Sequence, residues 1–230
     1  MESVDFGAYP IDFTLTPART RKPSFAEWVY GVVQRPFDIA ASSILLVALV
    51  PALLLIAVVI WADSGLPLIY RSERLGRHRR PITVLKFRTM RDGSHRHLTE
   101  LLTLSDERRM EYQASRKLKN DPRRTRVGSF LRRTSLDELP QLWNVLRGEM
   151  SLIGPRPCVA DELEGRPEAA AILSVRPGIT GLWQVNGRSD VTFEDRMRLD
   201  VTYIGNRGFA LDAKILLRTI SAVVTGRGAY

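Results

Sequence analysis

Asp137 and Glu138 stand side by side in the run Arg132-Arg133-Thr134-Ser135-Leu136-Asp137-Glu138-Leu139-Pro140-Gln141-Leu142-Trp143, the densest set of chemistry-bearing side chains in the chain. Ser135 followed by Glu138 has capping-box spacing, but a helix started there would need the N–H that Pro140 lacks. Taking Asp137 as N-cap puts Pro140 in the first turn, where a missing donor costs nothing. Both carboxylates then sit at the positive end of a helix near Arg132 and Arg133, and the sequence predicts that they stay ionised at neutral pH. An ordinary capped helix explains the pair too. Set among cations, however, two ionised carboxylates suit a site that binds Mg²⁺ through oxygen together with a diphosphate. Attack at phosphorus by Asp137 becomes feasible once arginines and metal offset the repulsion between the two anions.

The surrounding charge supports an anionic partner. The chain of 230 residues carries a net charge of +9, yet residues 71–91 and 116–133 each hold +7, which leaves the remainder at −5. Two focused basic patches fit nucleic acid, lipid headgroups or a phosphorylated substrate. With 44% apolar residues the chain has a core to build and is no disordered polycation. Its length allows one domain, with or without an appendage. The single cysteine, Cys158, excludes an intrachain disulfide and reads as a small packing residue. His78, His95 and His97 read as polar surface residues, and a reduced, cytosol-facing compartment is expected.

The elements that position the acids begin with an anchor. From Ile39 to Ala62 no residue is charged over 24 positions. As a helix this would reach about 36 Å, enough to cross hydrocarbon. Pro51 lies at its centre and predicts a kink into two halves. Basic residues flank it on both sides, Arg19, Arg21, Lys22 and Arg35 before and Arg71, Arg74, Arg77, Arg79 and Arg80 after, so the positive-inside rule places both flanks in the cytoplasm. A re-entrant helix-break-helix at Pro51 meets that demand, whereas a kinked single-pass helix is the commoner structure.

Residues 1–23, with Pro10, Pro17 and Pro23, read as a mobile tail, 24–65 as the membrane anchor and 66–230 as a cytosolic catalytic body. Phe25, Trp28, Val29, Val32 and Val33 predict a short interfacial amphipathic helix ahead of the anchor. Leu66 to Arg71 and Ile82 to Met90 read as strands joined by a basic turn, and His95 to Lys119 as a polar helix. Leu211, Ile215, Leu216, Ile220, Val223 and Val224 form an apolar face for a C-terminal amphipathic helix. The fold class expected is mixed α/β, mostly helical. Glycines and prolines in Gly154 to Pro157 and Arg176 to Gly187 fit either plain turns or close backbone approach to phosphate. Trp183 reads as a core residue, with stacking on a base or sugar as the alternative.

Four ordered motifs resemble the bacterial sugar transferase family, the monotopic polyprenyl-phosphate phosphoglycosyl transferases. They are Lys86-Phe87-Arg88-Thr89-Met90, Thr134-Ser135-Leu136-Asp137-Glu138-Leu139-Pro140-Gln141-Leu142, Gly148-Glu149-Met150-Ser151-Leu152-Ile153-Gly154-Pro155-Arg156-Pro157, and Arg176-Pro177-Gly178-Ile179-Thr180-Gly181-Leu182-Trp183-Gln184-Val185-Asn186-Gly187-Arg188. The resemblance implies transfer of a sugar-1-phosphate from a UDP-sugar, UDP-galactose or UDP-glucose, to undecaprenyl phosphate at the cytoplasmic face of the inner membrane, to initiate exopolysaccharide. It implies Asp137 as the nucleophile that forms a covalent phosphosugar and Glu138 as its acidic partner. It further implies Arg132, Arg156 and Arg188 as phosphate-binding residues, Asp212 as an additional essential acid, and a re-entrant helix broken at Pro51, although Val50 stands where the family often carries serine. A membrane-tethered scaffold or nucleic-acid binder would share the anchor and the basic patches, but no nucleic-acid-binding motif is present and such a protein would not need the acidic pair. The sequence is silent on oligomeric state, a homodimer included.

Overall fold

The computed structural model describes residues 25–91, 93–115, 118, 121–186 and 191–225. Fourteen elements follow in order: α1 Phe25–Ser64, β1 Ile69–Leu75, β2 Pro81–Phe87, α2 Ser94–Leu104, α3 Asp106–Ser115, α4 Arg126–Thr134, α5 Gln141–Arg147, β3 Ser151–Ile153, α6 Ala160–Leu163, α7 Ala169–Ile172, β4 Gly178–Thr180, α8 Leu182–Val185, α9 Phe193–Asn206 and α10 Phe209–Thr225. The class is mixed α/β and mostly helical, as the periodicities indicate. The tail expected over residues 1–23 lies outside the described residues.

α1 departs from expectation. The interfacial helix and both halves of the apolar segment form one element of 40 residues, and Pro36 and Pro51 lie inside it. At about 1.5 Å per residue it reaches roughly 60 Å. Proline keeps a helical φ and removes one N–H, so a helix rich in good formers can continue through it at the cost of one bond to the carbonyl four residues back. Among the described residues α1 is the one helix long and apolar enough to cross a membrane, with a mean hydropathy of 3.1 in its most apolar window. Val47, Ile44 and Leu55 stand exposed on it, side chains that water does not favour and lipid would cover.

The rest of the chain packs along this helix. Its flanks are held by arginine forks. Arg35 donates from Nη1 to the Val145 carbonyl at 2.5 Å and from Nη2 to that of Leu146 at 2.8 Å, satisfying the last carbonyls of α5. At the other end, buried Arg88 donates to the carbonyls of Ser64, Gly65 and Leu66 at 2.5, 2.5 and 2.8 Å, closing the C-terminus of α1. Between them buried Asp38 accepts from the Leu152 N–H at 3.0 Å and the Ser151 hydroxyl at 3.1 Å. Ile56 and Ile60 of α1 pack with Phe87 and Leu131.

β1 and β2 form an antiparallel hairpin with Tyr70 opposite Lys86 and Arg74 opposite Ile82. β1 lies further along the chain than the expected Leu66 to Arg71, β2 ends at Phe87 short of the expected Met90, and the turn between them has His78 and Arg79 at positive φ. The polar helix expected from His95 to Lys119 is two helices, α2 and α3, broken at extended Ser105. Asn144 of α5 ties the central helix to β2, donating to the Thr83 carbonyl at 2.7 Å and accepting from the Leu85 N–H at 3.0 Å. β3 and β4 pair in parallel, Ser151 with Gly178 and Ile153 with Thr180. The main core gathers Val84, Leu142, Val145, Met150, Trp183, Leu199, Tyr203 and Ile215 from both sheets, α5, α8, α9 and α10. α10 matches the predicted C-terminal helix, with Ile215 buried and Leu217 and Ile220 exposed.

One glycine contact fixes how α4 meets the hairpin. A Cβ on Gly128 would lie 2.0 Å from the Thr89 carbonyl oxygen, so α4 rests directly on the backbone at the end of β2. Gly128→Ala therefore has to push α4 away from Thr89. We expect it to cost about 1–3 kcal/mol, read as a lowered unfolding midpoint of the full-length protein in detergent, and an unchanged midpoint would refute this contact.

Candidate active site

The acidic pair does not start a helix in the expected way. α4 ends at Ser135, which takes a left-handed conformation (φ 57°, ψ 16°), and Leu136–Glu138 form a 3₁₀ turn before Pro140 leads into α5 at Gln141. Asp137 is thus one turn ahead of α5 rather than its N-cap. The tight turn resolves the Ser135–Pro140 conflict, because Glu138 N–H bonds back to the Ser135 carbonyl at 3.2 Å and Pro140 falls outside the hydrogen-bonded run.

This turn buries Asp137 and leaves Glu138 at the rim. Asp137 is 8% exposed. Burial, and then the charge of Glu138, push its carboxyl up to about 6, with Lys86, Arg132 and Arg156 pulling the other way. Asp137 therefore remains mainly ionised at neutral pH, by a narrower margin than a helix N-terminus alone would give. Glu138 Oε1 accepts from Lys86 Nζ at 2.5 Å and lies 3.7 Å from Arg156 Nη1.

Each cation comes from a different element and is held in place. Lys86 projects from β2 on the same face as Val84. Arg132 of α4 donates from Nε to the Thr89 hydroxyl at 2.9 Å, so it is aimed by the residue that Gly128 packs against. Arg156 follows β3 and lies 5.4 Å from the ring of Trp183. Beside them a hollow is lined by Arg74, Lys86, Glu138, Gln141, Arg156 and Ile179. An ionised carboxylate at about neutral pH, ringed by guanidinium and ammonium groups next to an open hollow, can attack a phosphorus whose oxygens those cations neutralise.

Asp137, Glu138, Arg132 and Arg156 are therefore brought together. Arg188 lies outside the described residues. Asp212 has its partners elsewhere: it accepts from Tyr30 of α1 at 2.8 Å and from Tyr203 of α9 at 3.0 Å, joining α10 to α1 and α9. Two members of the basic patches serve the fold, as Arg35 outside them does: Arg88 and Arg35 close helices, and Arg123 forms a bidentate pair with Asp121 at 2.5 and 2.7 Å. The motif glycines meet other backbone. A Cβ on Gly178 would lie 2.1 Å from Gly154 N, and one on Gly181 would lie 2.3 Å from the Gly154 carbonyl oxygen. Trp183 is a core residue at 4% exposure, and one that supports Arg156. Cys158 is buried in a smaller cluster with Leu163 and Met197.

Sequence reasoning left Lys86, Thr89, Arg74 and Asp200 without individual roles. Lys86 and Thr89 were signalled by their motif, and Arg196 with Asp200 by a charged pair four apart on an otherwise apolar helix face. Asp200 is fully buried in α9 beneath Arg156, whose main-chain N–H faces it. Arg196 Nε stands 4.0 Å from its Oδ2. Burial pushes the Asp200 carboxyl up to about 7 against the pull of Arg196 and Arg156. A raised folded-state value means that the neutral acid favours the fold. Its contribution is complete below about pH 4 and is lost as pH rises towards 7. In Asp200→Asn the decline of the unfolding midpoint across that interval should flatten, and an unaltered slope would place its origin in another group.

Comparison with known proteins agrees with the geometry. The chain is 44% identical over 201 residues to the exopolysaccharide production protein ExoY of Rhizobium meliloti (strain 1021), covering 87% of this chain and 89% of that protein. It is 46% identical over 199 residues to the UDP-galactose-lipid carrier transferase of Erwinia amylovora, and 39% identical over 242 residues to the undecaprenyl-phosphate glucose phosphotransferase of Komagataeibacter xylinus. These alignments cover 86% and 98% of this chain but only 42% of either relative, so the chain spans less than half the length of those two proteins. Residues 29–226 match the family described as bacterial sugar transferase, and with Asp137, Glu138, Arg132 and Arg156 all inside the matched region, the chain belongs to that family.

Proposed function

We propose that this protein transfers a sugar-1-phosphate, of galactose or glucose, from a UDP-sugar to undecaprenyl phosphate by way of a covalent phosphosugar on Asp137, and so initiates an exopolysaccharide. The observation that carries the reading is the buried Asp137 carboxylate between Lys86, Arg132 and Arg156, in a protein whose long apolar helix is latched to the same body. The names of the relatives supply the donor, the lipid carrier and the two sugars.

Asp137 must be ionised to attack the sugar-bearing phosphorus. The three cations offset the charge of the diphosphate as it approaches, and Lys86 with Arg156 keeps Glu138 turned aside from the line of attack. Mg²⁺ fits the residues present: two adjacent carboxylates that repel one another, one of them desolvated, with no group of three acidic, His or Cys residues among those described. That set suits an ion that takes one or two protein carboxylates and fills its shell with water and phosphate oxygens. When bound, the ion would supply further charge neutralisation at the diphosphate.

We further propose that α1 enters and leaves the inner membrane by its cytoplasmic leaflet, bending at Pro51 within its one helix, with the body on the cytoplasmic side. Arg35 and Arg88 bind the two flanks of the apolar stretch to one polar body, which a bilayer between those flanks would have to divide. Cysteine labelling at positions 24 and 66 tests this, and access from opposite sides of the bilayer would rule it out.

Incubating the protein with UDP-galactose or UDP-glucose alone should release UMP and leave a hexose-phosphate mass on the Asp137 peptide. Asp137→Asn should lose both by a factor of at least about 10³ while keeping its unfolding midpoint. EDTA should stop the reaction and Mg²⁺ restore it. A fully active Asp137→Asn protein removes the nucleophile, and turnover unaffected by EDTA removes the metal.

A further inference from the structure

The hollow beside the dyad is more positive than the acids in it require. Arg74, Lys86 and Arg156 all line it, and Glu138 is the one carboxylate lining it. Glu138 accepts from Lys86 and lies 3.7 Å from Arg156, so one carboxylate faces three cations in the hollow, and the like charges of Arg74 and Arg156 act on each other there. Side chains that repel stay together only where the fold holds them there, and such a pair awaits an anionic ligand.

The hairpin tells which anion arrives. Going back along β2 leads away from the C-terminal half of α1: Phe87 packs on Ile56 and Ile60, whereas Ile82, the partner of Arg74, lies five residues earlier, about 17 Å at strand rise. Arg132 belongs to the other end, bonded to Thr89, which follows the Arg88 clamp on the end of α1. The cations therefore fall in two groups on two sides of the dyad, Arg132 beside the Arg88 clamp at the C-terminal end of α1, and Arg74 with Arg156 on the hollow, further from that end. A phosphate carried on a lipid can reach the first group, and a water-soluble nucleotide the second.

Building on the proposed transfer reaction, we propose that Arg74 and Arg156 grip the phosphate of the departing nucleoside monophosphate, so that Arg74 is a leaving-group and donor-binding residue. In the first displacement a bond forms between an Asp137 carboxylate oxygen and the sugar-bearing phosphorus. The bond from that phosphorus to the bridging oxygen breaks, and its electron pair stays on that oxygen, which becomes a terminal oxygen of UMP. The second charge that UMP acquires needs no proton if two fixed guanidinium groups face it, and arginine keeps its charge at any pH of interest.

The test uses the full-length protein in lipid nanodiscs, with Arg74→Met and Arg74→Lys. Calorimetry with UMP alone, which needs no turnover, should show affinity reduced about tenfold or more in Arg74→Met and partly recovered in Arg74→Lys, since a hydrogen bond to a charged group is worth about that factor. Uridine, lacking the phosphate, should not distinguish the variants. In turnover with UDP-galactose or UDP-glucose, product inhibition by UMP should weaken in parallel, while the KM for undecaprenyl phosphate stays within about twofold. Unchanged UMP affinity in Arg74→Met, failure of the wild-type protein to bind UMP, or a rise confined to the KM for undecaprenyl phosphate would overturn the assignment. A wild-type protein that transfers nothing, yet binds UMP through Arg74, would sink the transfer reaction and leave the cradle standing.

Discussion

Burying Asp137 is the constraint around which the molecule is arranged. A carboxylate withdrawn from water beside a second carboxylate favours its protonated form, and only nearby positive charge keeps it near the point where it can act as an anion. No single element supplies that charge. Lys86 comes from the hairpin, Arg132 from the helix before the dyad and Arg156 from the loop after β3, so the site exists only when three separate parts of the chain are packed together. The supports behind them follow the same logic: Thr89 aims Arg132, Trp183 underlies Arg156, and Asn144 fastens the helix after the dyad to the strand that carries Lys86. The site is rigid because its cations are held from behind.

Arginine does two kinds of work here, and the sequence does not separate them. The basic patches were legible as attraction for an anion, and the dyad, Arg132 and Arg156 do converge. Yet Arg35 and Arg88 spend their donors on carbonyls at helix ends, and Arg123 on Asp121. The carbonyls that Arg35 meets belong to residues more than a hundred positions away, and nothing in local spacing announces them. The glycines were misleading in a similar way. Gly154 and Gly178 suggested turns or phosphate contacts, whereas each leaves room for the main chain of the other between two parallel strands, a pairing visible only once β3 and β4 are aligned.

Periodicity carried the mixed class, the long apolar helix and the C-terminal amphipathic helix. Boundaries failed where proline was given too much authority. Pro140 moved the expected helix start to Asp137, while the chain uses a 3₁₀ turn and begins α5 at Gln141; Pro51 suggested two helices where one continues. At Pro51 the missing N–H costs a single bond, and at Pro140, outside the hydrogen-bonded run, it costs none. Asp212 was legible as an important acid through resemblance alone, and its bonds to Tyr30 and Tyr203 give it a place in joining α10 and α9 to the membrane helix.

The double latch on α1 has a mechanical consequence. With Arg35 fixed to the end of α5 and Arg88 fixed to the end of α1 itself, neither flank offers a slack joint that could absorb rotation of the helix. Bilayers of different thickness change the tilt of an embedded apolar segment. In the anchor proposed for α1, a change in tilt would be passed directly into α5 and β2, the elements on either side of the dyad, and the composition of the surrounding lipid would become a variable of the site's own geometry.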